Sequence, residues 1–155
     1  MTARARVLAI AAAGLLGLAV SSYLTLVHAV SAPLACGAGG TVNCERILTS
    51  GFAVIAGTQV PTAAAGLAWF GASTGLALAR LARPGQPLLS TLQLLWASAG
   101  LAVVLGLVFV EVVLLGAICA WCTVAHALVL ATFLVAVSDE AWSFAPVSAS
   151  SRPSR

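Results

Sequence analysis

The chain has 155 residues, of which 61% are hydrophobic and only 7% charged, and its formal net charge is +3. Soluble domains carry about 25% charged residues, so a water-facing surface is excluded and lipid must cover most of the exterior. The positive excess comes entirely from scattered arginines, with no lysine and no basic cluster, which also excludes a nucleic-acid footprint. The arginine- and alanine-rich composition points to a GC-rich bacterial gene.

A helix that crosses a bilayer needs about 20 mostly apolar residues. The first such run, residues 7–29, holds no formal charge. A secretory signal peptide competes for this segment, with Arg4 and Arg6 as its basic region and Ala29-Val30-Ser31-Ala32 as a cleavage site. The apolar stretch exceeds the roughly 7–15 residues of a signal core, so the segment is expected to remain as a membrane helix. In the loop that follows, Val42 to Ile55 reads as a short helix along the membrane surface, with Cys44 near its start. Gly57 to Pro61 leads into the second span, 60–81, and Pro61 suits a first helical turn. From Leu88 to Val137 the only formal charge is Glu111. This stretch is too long for one span and divides near Gly116 and Cys119 into helices at about 88–114 and 117–137. The expectation is an all-α integral membrane protein, a four-helix bundle over residues 1–138 with a short surface helix in its first outer loop. Residues 139–155, polar and rich in serine and proline, are expected to form a disordered cytoplasmic tail.

Arginine placement sets orientation, because short cytoplasmic loops collect positive charge. With four spans, Arg4 and Arg6, then Arg80 and Arg83, then Arg152 and Arg155 share one face, which is expected to be the cytoplasm. Only Arg46 lies on the other side. The 31–59 loop and the turn between the last two helices then face outward from the inner (plasma) membrane. All four cysteines, Cys36, Cys44, Cys119 and Cys122, fall at that outer face, where a bacterial compartment lets disulfides persist.

A single cysteine in an apolar chain is ordinarily a small buried hydrophobe. Two close-spaced pairs at one membrane face are different. Cys119-Ala120-Trp121-Cys122 is a C-x-x-C motif, whose spacing lets the sulfurs meet and lowers the pKa of the first thiol. It opens the last helix, where the N-terminal partial charge favours a thiolate. Positions 119, 122 and 126 share a helix face, which sets His126 one turn below Cys122. Cys36 and Cys44 enclose seven residues including Gly37, Gly39 and Gly40, a pliable loop that can reach the Cα separation of about 4.4–6.8 Å a disulfide needs. This pair alone is equally a structural staple. A second pair beside it allows thiol–disulfide exchange between the two. A zinc site of four thiolates is the competing use; the oxidising face and the lack of other polar ligands favour redox chemistry, with no metal.

The order of a spaced pair followed by C-x-x-C at the start of the last helix resembles the vitamin K epoxide reductase family. The segments that carry the resemblance are Cys36-x7-Cys44, Asn43-Cys44-Glu45-Arg46-x3-Ser50, Gly57-x3-Pro61-x4-Gly66 and Ile118-Cys119-Ala120-Trp121-Cys122-x3-His126, within roughly residues 7–138. The resemblance implies a four-helix bundle around a quinone, menaquinone or ubiquinone, as electron acceptor. It implies that Cys36 receives electrons from a thioredoxin-like partner through a mixed disulfide, that Cys44 attacks Cys119, and that Cys122 faces the quinone. It implies that Ser50 supports the reaction by hydrogen bonding and that His126, where animal members carry a tyrosine, lines the pocket. With no fused thioredoxin-like domain in the sequence, the partner is expected to be a separate periplasmic thiol oxidase. The pocket asparagine of animal members has no counterpart, which puts epoxide reduction in doubt; vitamin K (epoxide) reductase activity proper is kept as an alternative function.

The remaining candidates carry less. Glu111, near the outer end of the third helix, is either a proton relay to reduced quinone or a carboxylate solvated at the headgroups. His28 reads as interfacial, Trp69, Trp96 and Trp142 as lipid-facing or belt residues, and Trp121 as facing away from the 119/122/126 stripe. An unrelated bacterial family of disulfide-generating membrane proteins uses the same chemistry with the two pairs in the opposite order. A non-enzymatic zinc-binding bundle is the other alternative.

Overall fold

A computed structural model of the chain describes residues 2–31, 36 and 38–143. The end of the polar tail, 144–155 with Arg152 and Arg155, lies outside the described residues, as do Gly37 and the side chain of Trp142.

Four helices are long and apolar enough to cross a membrane. They are α1 (Ala3–Val30), α3 (Thr62–Ala82), α4 (Pro87–Phe109) and α5 (Ala120–Ser143). Between α1 and α3 lie a two-residue hairpin, β1 (Ala38–Gly39) with β2 (Val42–Asn43), and a single short helix, α2 (Cys44–Leu48). At about 1.5 Å per residue α1 is roughly 42 Å long, more than the hydrocarbon core of a bilayer. The four long helices close into a ring in which α1 packs on α3 and α5, and α4 completes it between them.

Lipid offers no hydrophobic drive for helices to associate, so close approach through small residues takes its place. Gly14, Gly17 and Ser21 form such a stripe on α1. Added methyl groups at Gly14 and Gly17 would collide with Thr74 and the Phe70 ring of α3, and one at Gly66 would come within 2.9 Å of the Ser21 hydroxyl. Gly100 of α4 gives the same room to the Trp69 indole. The expected lipid-facing placement of Trp69 and Trp96 is corrected: both are half-buried between α3 and α4. Each indole N–H donates to the other residue's carbonyl, at 3.3 Å from Trp69 and 3.1 Å from Trp96. Two hydrogen bonds that would otherwise go unmade in hydrocarbon thereby pin the two backbones together.

The core is densest toward one end, where Val7, Ile10, Ala11, Ala77, Ala97 and Ala136 form a cluster. At that end Asp139 of α5 pairs with Arg6 of α1, Nε to Oδ1 at 2.7 Å, and with Arg80 of α3. The first helix's start and the ends of α3 and α5 are therefore together, as the arginine pattern required. α5 continues to Ser143, beyond the expected end at 137, and carries Asp139 into this ion cluster. Toward the opposite end a smaller cluster of Phe70, Val104 and Val129 underlies an open cavity.

The surface helix is much shorter than the expected 42–55. Asn43 starts it by accepting from the Arg46 N–H at 2.9 Å, a side-chain N-cap. After Leu48 the Thr49 and Ser50 hydroxyls donate back to the Glu45 and Ile47 carbonyls, and Gly51 begins a turn. The chain then folds through an Ile55–Val60 turn, and Thr62 ties back to the Phe52 and Ala53 carbonyls.

Candidate active site

The two cysteine pairs are brought together by backbone, not only by membrane side. The Asn43 N–H donates to the Ile118 carbonyl at 3.0 Å, and the Ile118 N–H donates to the Thr41 carbonyl at 2.9 Å. This short parallel bridge clasps β2 to the segment entering α5. Cys44 follows one clasped residue and Cys119 the other. Both side chains are enclosed, Cys44 1% exposed and Cys119 fully buried. The expectation of a pliable loop beside a fixed helix is thereby refined: Cys44 is fixed by the clasp and by α2.

Cys36 and Cys44 form a disulfide with their Cα atoms 6.0 Å apart, whereas Cys119 and Cys122 are free thiols. The disulfide takes up two of the four thiolates that the zinc alternative requires. Among the described residues no group of three or more metal-ligating side chains forms.

Gly116 adopts a positive φ of 58° and turns the chain between α4 and α5, a conformation open to glycine at little cost. Cys119 then stands directly before α5. Its carbonyl accepts from the Thr123 N–H at 2.9 Å and its sulfur from the Cys122 N–H at 3.3 Å, so the sulfur acts as the helix's N-terminal cap. The Cys122 thiol also donates to it, and this hydrogen bond holds the Cys119 thiol below its ordinary pKa against the opposing effects of burial and of Glu111.

One turn on, Cys122 faces the cavity. This space of about 290 Å³ is roofed by α2 and the turn after it, through Ile47, Leu48, Ser50 and Phe52. Trp69, Phe70 and Gly100 line its deeper wall, and Cys122 and His126 line it from α5. Of the expected site residues, Ser50, Cys122 and His126 thus share one cavity, while Cys119, Cys44 and Cys36 stand outside its lining. The Ser50 hydroxyl donates to the Ile47 carbonyl at 2.7 Å, which leaves its oxygen to accept.

Over residues 8–137 the sequence matches the profile of the Vitamin K epoxide reductase family. The chain belongs to that family. No individual curated protein matches it. Membership in the vitamin K epoxide reductase family makes the chain a multi-pass membrane protein with thiol–disulfide oxidoreductase chemistry, and a free C-x-x-C pair whose Cys122 lines an apolar cavity is what such chemistry needs.

Two lining residues, Ser21 and His28, were not legible as such, and Glu111 was open to two readings. Ser21 is an unremarkable serine in an apolar run, and only its helical spacing from Gly14 and Gly17 hints at an inward face. His28, expected at the interface, is half-buried and lines the cavity. Glu111, for which headgroup solvation was weighed, is 6% exposed and points inward. Trp121 packs on Tyr23 of α1 with ring centroids 5.0 Å apart, and it is not among the cavity's lining residues.

Proposed function

We propose that the protein oxidises the dithiol of a separate thioredoxin-like partner and passes the electron pair to a membrane quinone, so supporting disulfide formation in secreted proteins. The observation that carries this reading is the arrangement of two cysteine pairs in series, an outer disulfide clasped beside an inner dithiol whose second sulfur opens into an apolar cavity. The cavity suits a flat, weakly polar ring with carbonyl oxygens: its walls are mostly aliphatic and aromatic, and polar groups, among them Ser50, Glu111, Cys122, His126 and His28, are set between them. A bound quinone supplies the two-electron acceptor, and menaquinone and ubiquinone both meet that need.

The residues divide the work. A partner thiolate attacks Cys36, breaking the Cys36–Cys44 bond and forming a mixed disulfide; the partner's second thiol resolves it. Cys44 then attacks Cys119 of an oxidised inner pair, releasing Cys122 as a thiolate, and Cys36 resolves the Cys44–Cys119 bond. The state described above, outer disulfide and inner dithiol, is the one reached when the electron pair has moved inward. Cys122 hands it on within the cavity as the Cys119–Cys122 bond re-forms. His126 donates toward an acceptor carbonyl and Ser50 offers its oxygen lone pairs to a proton on the same ligand. The outer face is the extracytoplasmic side of the plasma membrane, with both termini in the cytoplasm.

In this relay Cys122→Ser still binds quinone, seen as quinone retained on purification, but forms no quinol when mixed anaerobically with a reduced thioredoxin-like partner. Quinol formation by that variant at the unmodified protein's rate would overturn the assignment.

A further inference from the structure

Glu111 is used by none of the steps above, yet its position is costly. It lies in the Val110–Leu114 segment, a π-helical turn that ends α4. Such a turn inserts an extra residue into the helical ladder and is frequent at functional sites. Its neighbours Val112, Val113 and Leu114 are each more than half exposed to the surroundings, whereas Glu111 is turned inward and 6% exposed. An acid in that place must be partnered or neutral. Its partners are the two catalytic cysteines: the Cys119 N–H donates to the carboxylate, and the Cys122 thiol shares its one proton between this carboxylate and the Cys119 sulfur. The same carboxylate lines the cavity beside Cys122. A backbone bond from the Ala117 N–H to the Glu111 carbonyl, 3.0 Å, fixes the turn to the start of the C-x-x-C segment.

We infer that Glu111 is the proton carrier of the inner dithiol, taking the proton from the Cys122 sulfur and delivering it into the cavity. The inference rests on the quinone-reducing reading. When the inner pair is oxidised, its two thiols lose two electrons and two protons as the S–S bond forms, and a quinone that becomes quinol gains the same two of each. Glu111 accepts the Cys122 proton as that sulfur reacts, releases it to an acceptor oxygen, and then carries the Cys119 proton in the same way. It ends as the carboxylate it began. Glu111 is the acid–base group hydrogen-bonded to the Cys122 thiol, while the neighbouring walls from α1, α3 and the roof are largely apolar. The other titratable groups lining the cavity are His28 on α1, and Cys122 and His126 on α5; α3 and the roof contribute none. Of these, Cys122 is hydrogen-bonded to the carboxylate.

The test compares Glu111→Gln, which keeps the shape and an acceptor oxygen but cannot carry a proton, with the unmodified protein in two measurements. In the first, protein reduced beforehand is mixed with quinone and quinol is followed through one turnover; the variant is slowed about a hundredfold, the usual loss for a general acid–base group. The second needs no quinone. In a Cys119→Ser background, with Cys36–Cys44 intact, alkylation of Cys122 by N-ethylmaleimide is followed against pH. With Glu111 present the profile carries an acid inflection from the carboxyl in addition to that of the thiol; in Glu111→Gln the acid inflection is gone. Inflections from His28 and His126 are common to both proteins. Glu111→Asp keeps the acid inflection and recovers part of the rate, and it carries the test if the glutamine variant folds poorly. Equal single-turnover rates overturn the inference, and so does a slower rate with an unchanged alkylation profile, which marks a packing role. If instead Cys122→Ser forms quinol normally, the quinone-reducing reading itself is lost.

Discussion

Cys119 and Cys122 lie one helical turn apart but face opposite duties. Cys119 is sealed between the clasp and the first turn of α5, its sulfur accepting from both the backbone and the side chain of Cys122. Cys122 opens into the cavity. A donor aimed at a sulfur stabilises the thiolate and lowers the pKa, and the thiolate is the form that exchanges. Removing the Cys122 donor must therefore raise the Cys119 pKa. In Cys122→Ala, where Cys36–Cys44 remains closed and Cys119 is the one free thiol, alkylation of Cys119 moves to higher pH than in Cys122→Ser, which retains a hydroxyl donor. Rates of iodoacetamide modification against pH check this; coincident profiles would show that the side-chain donor is immaterial. The cysteines were legible in the sequence because their spacing is itself the chemistry. Glu111 was legible as a candidate but its relay and headgroup readings stayed open, and Ser21 and His28 were not marked, because whether a polar residue near a membrane boundary points to a cavity or to headgroups depends on helix rotation, which spacing alone does not fix at a helix end.

At the level of elements, the long helices followed directly from apolar run length, and the turn before α5 from Gly116. The pieces that position the site were harder to read. The surface helix was overestimated because Val42–Ile55 is apolar enough to lie on a membrane, whereas the chain turns at Gly51 and folds back through Ile55–Val60 so that the helix is only Cys44–Leu48. The clasp was invisible, since two backbone bonds between Thr41–Asn43 and Ile118 leave no mark in side-chain pattern. Yet it is what sets Cys44 beside the entrance of α5. Asn43→Pro removes the N–H that Ile118 accepts from, together with the cap on α2, whereas Asn43→Ala removes the cap alone. A backbone hydrogen bond contributes about 1 kcal/mol, roughly a fivefold change in an equilibrium. In a Cys36→Ser, Cys122→Ser background, where Cys44 and Cys119 can only pair with each other, the Cys44–Cys119 disulfide is expected to form at least about fivefold less readily with proline than with alanine, measured by non-reducing mass spectrometry after mild oxidation. Equal yields for the two would mean that the clasp does not place Cys44.

For the whole molecule, charge and chemistry sit at opposite ends. Arg6, Arg80 and Asp139 meet at one end of the bundle, and the disulfide, the C-x-x-C pair and the cavity gather at the other. A partly enclosed ion cluster of this kind is stable only while each charge keeps its partner, so it locks α1, α3 and α5 in register at the arginine end, which the proposed orientation puts in the cytoplasm. The relay then requires that both sulfur pairs meet an oxidising compartment while the arginine end does not. This orientation is measurable with two exposed loop positions, Gln59 before α3 and Gln86 between α3 and α4. In a protein with all four native cysteines replaced by serine, Gln59→Cys should react with a membrane-impermeant maleimide on intact cells, and Gln86→Cys only after the cells are opened. The helix between them is 21 residues long, about 32 Å at 1.5 Å per residue, enough to separate the two across a bilayer. The reverse labelling pattern would put the cysteine face in the reducing cytoplasm, where the outer disulfide could not persist against the thiol pool and a partner dithiol would have no oxidant to meet.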